Sequence, residues 1–180
     1  MLNVISAIGQ IGTFIMALFY FISVSLQLYQ MKIAFIPALG FNQILIKRSG
    51  KGLTLHNTAV NRDGNRQEDF LQLYNLGGGA AKQITIEIYI AGNDDVLERK
   101  FVSILPSKEG YLLPINKDVF KEIEETIENN GYESNLKLKL TYKHNVSRKT
   151  QELYLNGKID VFNSYDDESI YELQFINVDK

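Results

Sequence analysis

The apolar pattern along the chain changes period once. From about Leu2 to Leu28 the sequence is continuously apolar with scattered uncharged polar residues, and the first charged side chain is Lys32. A helix of that length covers roughly 40 Å, against a hydrocarbon core of about 30 Å. No Lys or Arg precedes position 32, so the basic region of a secretory signal is missing, and the stretch reads as a span over residues 1–31. Residues 32–40 continue apolar but contain Pro37 and Gly40, and read as an interfacial elbow. From about Phe41 the period is 2. "FLQLYNL", "ITIEIYI", "LKLKLTY", "TQELYLNGKIDVF" and "IYELQFINV" alternate apolar and polar residues, as half-buried antiparallel strands do. Turn signals punctuate them at Arg62-Asp63-Gly64-Asn65, Gly77-Gly78-Gly79, Gly92-Asn93-Asp94-Asp95, Asn130-Gly131 and Asn156-Gly157. The pattern predicts a mainly β protein: an N-terminal transmembrane helix, then an antiparallel β-sandwich of seven or eight strands over 41–180. One helix is inserted in it. "INKDVFKEIEETIENNG" offers Asn116 as N-cap, Val119, Phe120, Ile123 and Ile127 as the apolar face, and Gly131 as the stop. Glu122, Glu124, Glu125 and Glu128 are expected on its solvated side.

Inside the span the polar residues are not random. Asn3, Ser6, Gln10, Thr13, Ala17 and Tyr20 recur at intervals of 3, 4, 3, 4 and 3. That rhythm is a heptad-type seam, and a left-handed supercoil would keep it facing neighbouring helices. Ser23, Gln27 and Gln30 continue it after one shift, whereas Ser25 does not fit. Gly9 and Gly12 lie beside the seam, and Gly9, Thr13 and Ala17 form a small-xxx-small row suited to close helix packing in lipid. Three readings stay open: a single anchor that tolerates a few polar groups, a homo-oligomer whose seam lines a narrow or closed pore, or pairing with another membrane protein. In the pore reading Gln10 and Thr13 face the middle, with Asn3 and Ser6 at the outer mouth.

Charge sharpens the division. Lys and Arg total 19, Asp and Glu total 21, and the net charge of −2 provides no global field for nucleic acid. Lys32, Lys47, Arg48 and Lys51 lie beyond the C-terminal end of the span. Their bias places the N-terminus outside and the large domain in the cytoplasm. There is no cysteine, which excludes disulfides and thiolate-ligated metal. His56 and His144 are far apart in sequence and belong to no recognisable triad. "SYDDES" lacks the spacing of a calcium loop. The expectation is a non-enzyme without metal or cofactor. The strongest local candidate for an anionic ligand is the hairpin "YKHNVSRK", with Tyr142, Lys143, His144, Arg148 and Lys149, because aromatic stacking beside basic residues suits a single-stranded oligonucleotide. "NRDGNR" (Arg62, Arg66) and "ERK" (Arg99, Lys100) are weaker candidates. The triple glycine precedes a strand and lacks a following Lys-Ser/Thr, so it reads as a tight turn rather than a phosphate loop.

"LYNLGGGAAKQITIEIYI" resembles the strand-turn-strand motif Asn-x-Gly-x-Gly-Pro-Ala-x-Asn-Val of small bacterial membrane-anchored β-sandwich proteins. Asn75, Gly77, Gly79, Ala81 and Ile84 fit, while Ala80 replaces the proline and Gln83 the asparagine. "ILPSKEGYLLPI" resembles the later Pro-Gly-Glu turn of that family, and "LKLTYKHNVSRKTQELYL" its hairpin, so the likeness covers residues 70–155. A short span joined to a cytosolic sandwich is similar to the membrane effector of Hailong-type anti-phage defence. That resemblance implies a homo-oligomeric ion channel in the bacterial inner membrane. It also implies a nucleotidyltransferase partner whose oligonucleotide product holds the channel shut. The alternative is a non-conducting membrane-anchored sandwich that recruits a protein partner.

Overall fold

The computed structural model describes residues 2–49, 52–57, 70–92, 95–129, 133–165 and 168–178. The first element is the helix α1, Leu2–Ala34. Ten strands follow among the described residues: β1 (Leu39–Phe41), β2 (Ile44–Ser49), β3 (Gly52–Asn57), β4 (Phe70–Asn75), β5 (Ala81–Ile90), β6 (Val96–Leu105), β7 (Gly110–Pro114), β8 (Glu133–His144), β9 (Ser147–Tyr165) and β10 (Glu168–Asn177). A second helix, α2 (Lys117–Glu128), lies between β7 and β8. All strand pairs are antiparallel, in a three-stranded sheet β1-β4-β7 and a seven-stranded sheet β3-β2-β10-β9-β8-β5-β6.

The predicted alternation is the packing rule of the core. Ile84, Ile86 and Ile88 of β5, Leu136, Leu138 and Leu140 of β8, and Leu71 and Leu73 of β4 are all buried. Each such side chain contributes roughly 1.5–3 kcal/mol of burial. α2 adds Val119, Ile123 and Ile127 to the same cluster, packing against β8. Its N-cap is Asn116, whose Oδ1 accepts from the N–H of Asp118 (3.1 Å) and Val119 (3.0 Å) while Nδ2 donates to the Leu97 carbonyl (2.7 Å). One residue therefore starts the helix and fastens it to β6. Phe41 and Phe175 meet at 4.7 Å between centroids, linking β1 to β10 across the two sheets.

Four sequence expectations change. Asn156-Gly157 is not a turn, because both residues lie inside the 19-residue strand β9. A Cβ on Gly157 would sit 3.2 Å from the Leu136 carbonyl oxygen, beside the register shift in β8 between Glu133 and Lys137. The glycine admits a close backbone approach at a bulge. Glu122 is not on the solvated side of α2 but buried, unlike Glu124, Glu125 and Glu128. The strand count is higher because Leu39–Phe41 and Gly110–Pro114 form short strands where the sequence shows little alternation. Within the expected elbow, α1 continues to Ala34 and β1 starts at Leu39, which leaves residues 35–38 as the connector. The Arg62–Asn65 turn, with Arg66, and the Gly131 stop fall outside the described residues.

Candidate functional site

α1 is long and apolar enough to cross a membrane: within Ser6–Ala34 an 18-residue stretch reaches a mean hydropathy of 1.9, with none of that stretch buried. A core helix of a soluble protein of this length would be covered, whereas this stretch is uncovered up to its end, where the Ala34 carbonyl lies against Gly78. Ser6, Gln10, Thr13, Ala17 and Tyr20 of the seam are all exposed, and the Asn3 side chain lies outside the described residues. Nothing stands within 4 Å of where a Cβ on Gly9 or Gly12 would lie, so the groove beside the seam is open. The polar groups are not equivalent. Thr13 Oγ1 donates to the Gly9 carbonyl at 2.9 Å, and Ser25 Oγ to the Phe21 carbonyl at 2.8 Å. Both hydroxyls are satisfied within the helix.

Below α1 the chain enters the sandwich through a clasp centred on Asn75, which is fully buried. Its Oδ1 accepts from the N–H of Ala38 and of Gly77, each at 3.2 Å. Its Nδ2 faces three carbonyls, those of Gly79 (2.7 Å), Leu105 (3.1 Å) and Pro106 (3.1 Å). Its backbone N–H donates to Glu109 at 3.0 Å, and its carbonyl accepts from Lys108 at 2.8 Å. One amide thus joins the connector after α1, the glycine loop between β4 and β5, and the turn between β6 and β7. Ser107 Oγ donates to the Gly77 carbonyl and Lys108 Nζ to the Leu76 carbonyl, both at 2.6 Å.

The three glycines have a related cause. A Cβ on Gly77 would collide with the backbone of Ile36 and Ala38, one on Gly78 with the Ala34 carbonyl, and one on Gly79 with the Phe35 carbonyl. The loop is glycine-rich because the connector backbone lies directly on it. One face of the loop is therefore covered by residues 34–38, while Gly78 stays exposed on the other.

The hairpin joining β8 to β9 lies at the same end. Phe35, Gly78, Gly79, Ala80, Asn145 and Val146 line one cavity of about 400 Å³. A second cavity, of about 630 Å³, shares Asn145 and is walled by Lys82, Gln83, Phe101, Ser103, Lys143, His144 and Ser147. The basic cluster read from the sequence is divided here. Lys143 and His144 line the larger cavity, whereas Tyr142 is half-buried against the core, where burial raises its phenol pKa. Lys149 is exposed on β9 outside that lining, and the Arg148 side chain is outside the described residues. His144 is mostly buried and accepts the Val146 N–H through Nδ1 at 3.3 Å, so it also shapes the hairpin turn. Arg99 is ion-paired with Glu87 and Lys100 with Glu98, each pair under 3 Å, which occupies both cations of the "ERK" candidate.

Lys82, Gln83, Ser103 and Ser147 were not legible as site residues. Only strand register brings them together, with Lys82 opposite Lys143 and His144 opposite Ser147. Comparison with protein-family models, with curated proteins and with solved structures gives no match for this chain. Among the described residues no group of His, Asp or Glu is placed to hold a metal ion.

Proposed function

We propose that the chain is a homo-oligomeric membrane effector whose α1 helices cross the bacterial inner membrane once and together enclose a gated ion pathway. The cytoplasmic sandwich assembles the oligomer and senses a ligand. Bacterial anti-phage defence, with an oligonucleotide as that ligand and a nucleotidyltransferase as its source, comes into the reading only from the resemblance of the architecture, a short span joined to a sandwich, to the membrane effector of Hailong-type defence. The observation that supports the pore is the seam itself. Gln10 has no side-chain partner among the described residues, on an uncovered stretch of helix beside an open glycine groove. In lipid such an amide needs a second helix or water. The clasp at Asn75 supplies a rigid joint through which a change in the sandwich reaches α1.

The second reading is a non-conducting anchor that recruits a protein partner. It is favoured by the Thr13 and Ser25 hydroxyls, which are satisfied inside their own helix and need no neighbour. One experiment separates the two: determine the oligomeric state of the purified full chain, then measure ion flux in liposomes. An oligomer that conducts supports the pore; a monomer that never conducts leaves the anchor.

A further inference from the structure

We propose that the larger cavity, at the membrane-facing end of the sandwich, binds the phosphate headgroups of anionic lipids. The inference rests on the reading that α1 lies in a membrane. Its first support is a charge arrangement that lacks its counter-ion. Lys82 of β5 and Lys143 of β8 stand directly opposite each other in the ladder. Like charges in that position destabilise a sheet. Among the described residues neither lysine has a carboxylate partner, although seven other cations do. No acidic residue lines the cavity. An anion seated between the two ammonium groups would turn the repulsion into attraction, with the hydroxyls of Ser103 and Ser147 as further hydrogen-bond donors on the same walls.

The second support is backbone geometry. The β5 ladder shifts register between Lys82 and Thr85, and Gln83 adopts a φ of +49°, in the left-handed region that a non-glycine residue enters at a cost. Because of this bulge the strand opens beside the lysine pair rather than running on regularly. Strain of this kind is retained where it re-aims side chains.

The third support is position, and it decides which anion. The cavity shares Asn145 with its neighbour, which contains Phe35, the first residue after α1. Phe35, Ile36 and Leu76 are exposed apolar residues at this end, and Phe101 is an exposed apolar wall of the cavity itself. Lys32 closes the last turn of α1, and Lys108 sits on the adjacent turn. Apolar residues at the acyl boundary with lysines at headgroup level match the surface of an anionic leaflet. A free oligonucleotide would have to reach the same cleft between the sandwich and the bilayer.

The test uses the full chain in neutral maltoside micelles. Short-chain phosphatidylglycerol, short-chain phosphatidylcholine, inorganic phosphate and a single-stranded DNA decamer are titrated separately, with binding read by thermophoresis. Saturable binding of phosphatidylglycerol, at least tenfold tighter than of phosphatidylcholine or phosphate, is expected. It should weaken at least tenfold in Lys82→Gln/Lys143→Gln but not in Lys117→Gln. The double variant should unfold at or above the parent temperature, since it removes facing like charges. Equal lipid binding by parent and double variant overturns the proposal. So does a decamer or phosphate that binds more tightly than phosphatidylglycerol, and so does a double variant that melts several degrees lower. Alkaline-carbonate extraction of membranes tests the span by itself. Release of the protein sinks the membrane reading, whereas retention without phosphatidylglycerol binding sinks the headgroup site alone.

Discussion

α1 and the sandwich solve the same problem in opposite ways. In the sandwich every long apolar side chain on the inner faces finds a partner in the chain's own core, and the polar residues between them face outward. Along α1 large apolar residues from Ile8 to Ile33 remain exposed, and so do the polar ones from Ser6 onward. The sandwich therefore carries the information for its own folding. In the membrane reading proposed above, the helix depends on surroundings that the single chain does not supply: lipid for its apolar face and another helix or water for Gln10. Between them lies a joint with neither character, where a polar side chain is fully buried and every hydrogen-bonding group of it is used. The two regions are coupled only as firmly as that joint holds.

The largest effect is expected at the joint. Asn75→Ala removes the acceptor for two N–H groups and the donor for three carbonyls at a fully buried site. At about 1–3 kcal/mol for each group left unsatisfied, a loss of roughly 3–5 kcal/mol is expected after relaxation and water entry. Denaturant unfolding of the full chain in mild detergent measures it. Ser107→Ala removes only the bond to the Gly77 carbonyl and should cost about 1 kcal/mol. If Asn75→Ala costs no more than Ser107→Ala, helix and sandwich are not joined through this amide.

A second, smaller effect tests the sandwich side. Asn116→Ala deletes the cap of α2 and its bond to the Leu97 carbonyl. A loss of roughly 1–2 kcal/mol is expected in the same unfolding assay. A change below a few tenths would mean that burial of Val119, Ile123 and Ile127 alone sets the helix.

The two regions also differed in how much the sequence revealed. The strands were legible because period 2 is imposed by a one-sided core, and β4, β5, β8 and β10 fall on the alternating segments. Asn116 was legible because capping is local chemistry. Gly157 misled because a glycine allowing close approach and a glycine making a turn look identical until the neighbouring strand is placed. Glu122 misled because three other glutamates of α2 do face solvent. The Asn75 motif could be seen as a pattern, but its cause could not: the partners of one amide come from positions 38, 77, 79, 105 and 106. The Lys82–Lys143 pair was invisible for the same reason, since two lysines 61 positions apart acquire meaning only through register.

On the helix side, Gln10 and Thr13 should part company. Thr13→Val leaves the helix without a hydroxyl that was already bonded to Gly9, so assembly and flux should be nearly unchanged. Gln10→Leu removes the amide that has no partner within its own helix. An interhelical hydrogen bond in lipid is worth about 0.6 kcal/mol, and up to 1–2 in model peptides. Association should therefore weaken by about threefold or more, and flux should fall as the wetted position becomes apolar. Förster transfer between labelled chains in liposomes measures the first, and ion efflux the second. Equal behaviour of the two variants would assign the seam to lipid and leave the anchor.

The smallest effect concerns the pairing of β10 with β2. Glu168 at the start of β10 is paired with Lys47 of β2 at 2.7 Å, and Ser49 Oγ reaches the same carboxylate at 3.4 Å. The hydrogen bond from Lys47 holds its carboxyl below the ordinary value of 4.5, although burial opposes this. A depressed carboxylate pKa means that the folded state binds its proton less readily than the unfolded chain. Its contribution to stability is thus fully present above pH 4.5 and disappears as the pH falls through the lower folded value. Both side chains are well exposed, so the pair is screened and its effect small. In Glu168→Gln the unfolding temperature should depend slightly less on pH between about 5 and 3 than in the parent. At pH 7 the two should differ little, and raising the salt concentration should narrow even that gap. α1 carries no carboxylate at all, so any acid sensitivity that survives in the variant belongs to the sandwich and not to the helix. A variant that loses stability equally at pH 7 and at pH 3 would show instead that Glu168 acts through packing between β2 and β10 rather than through its charge.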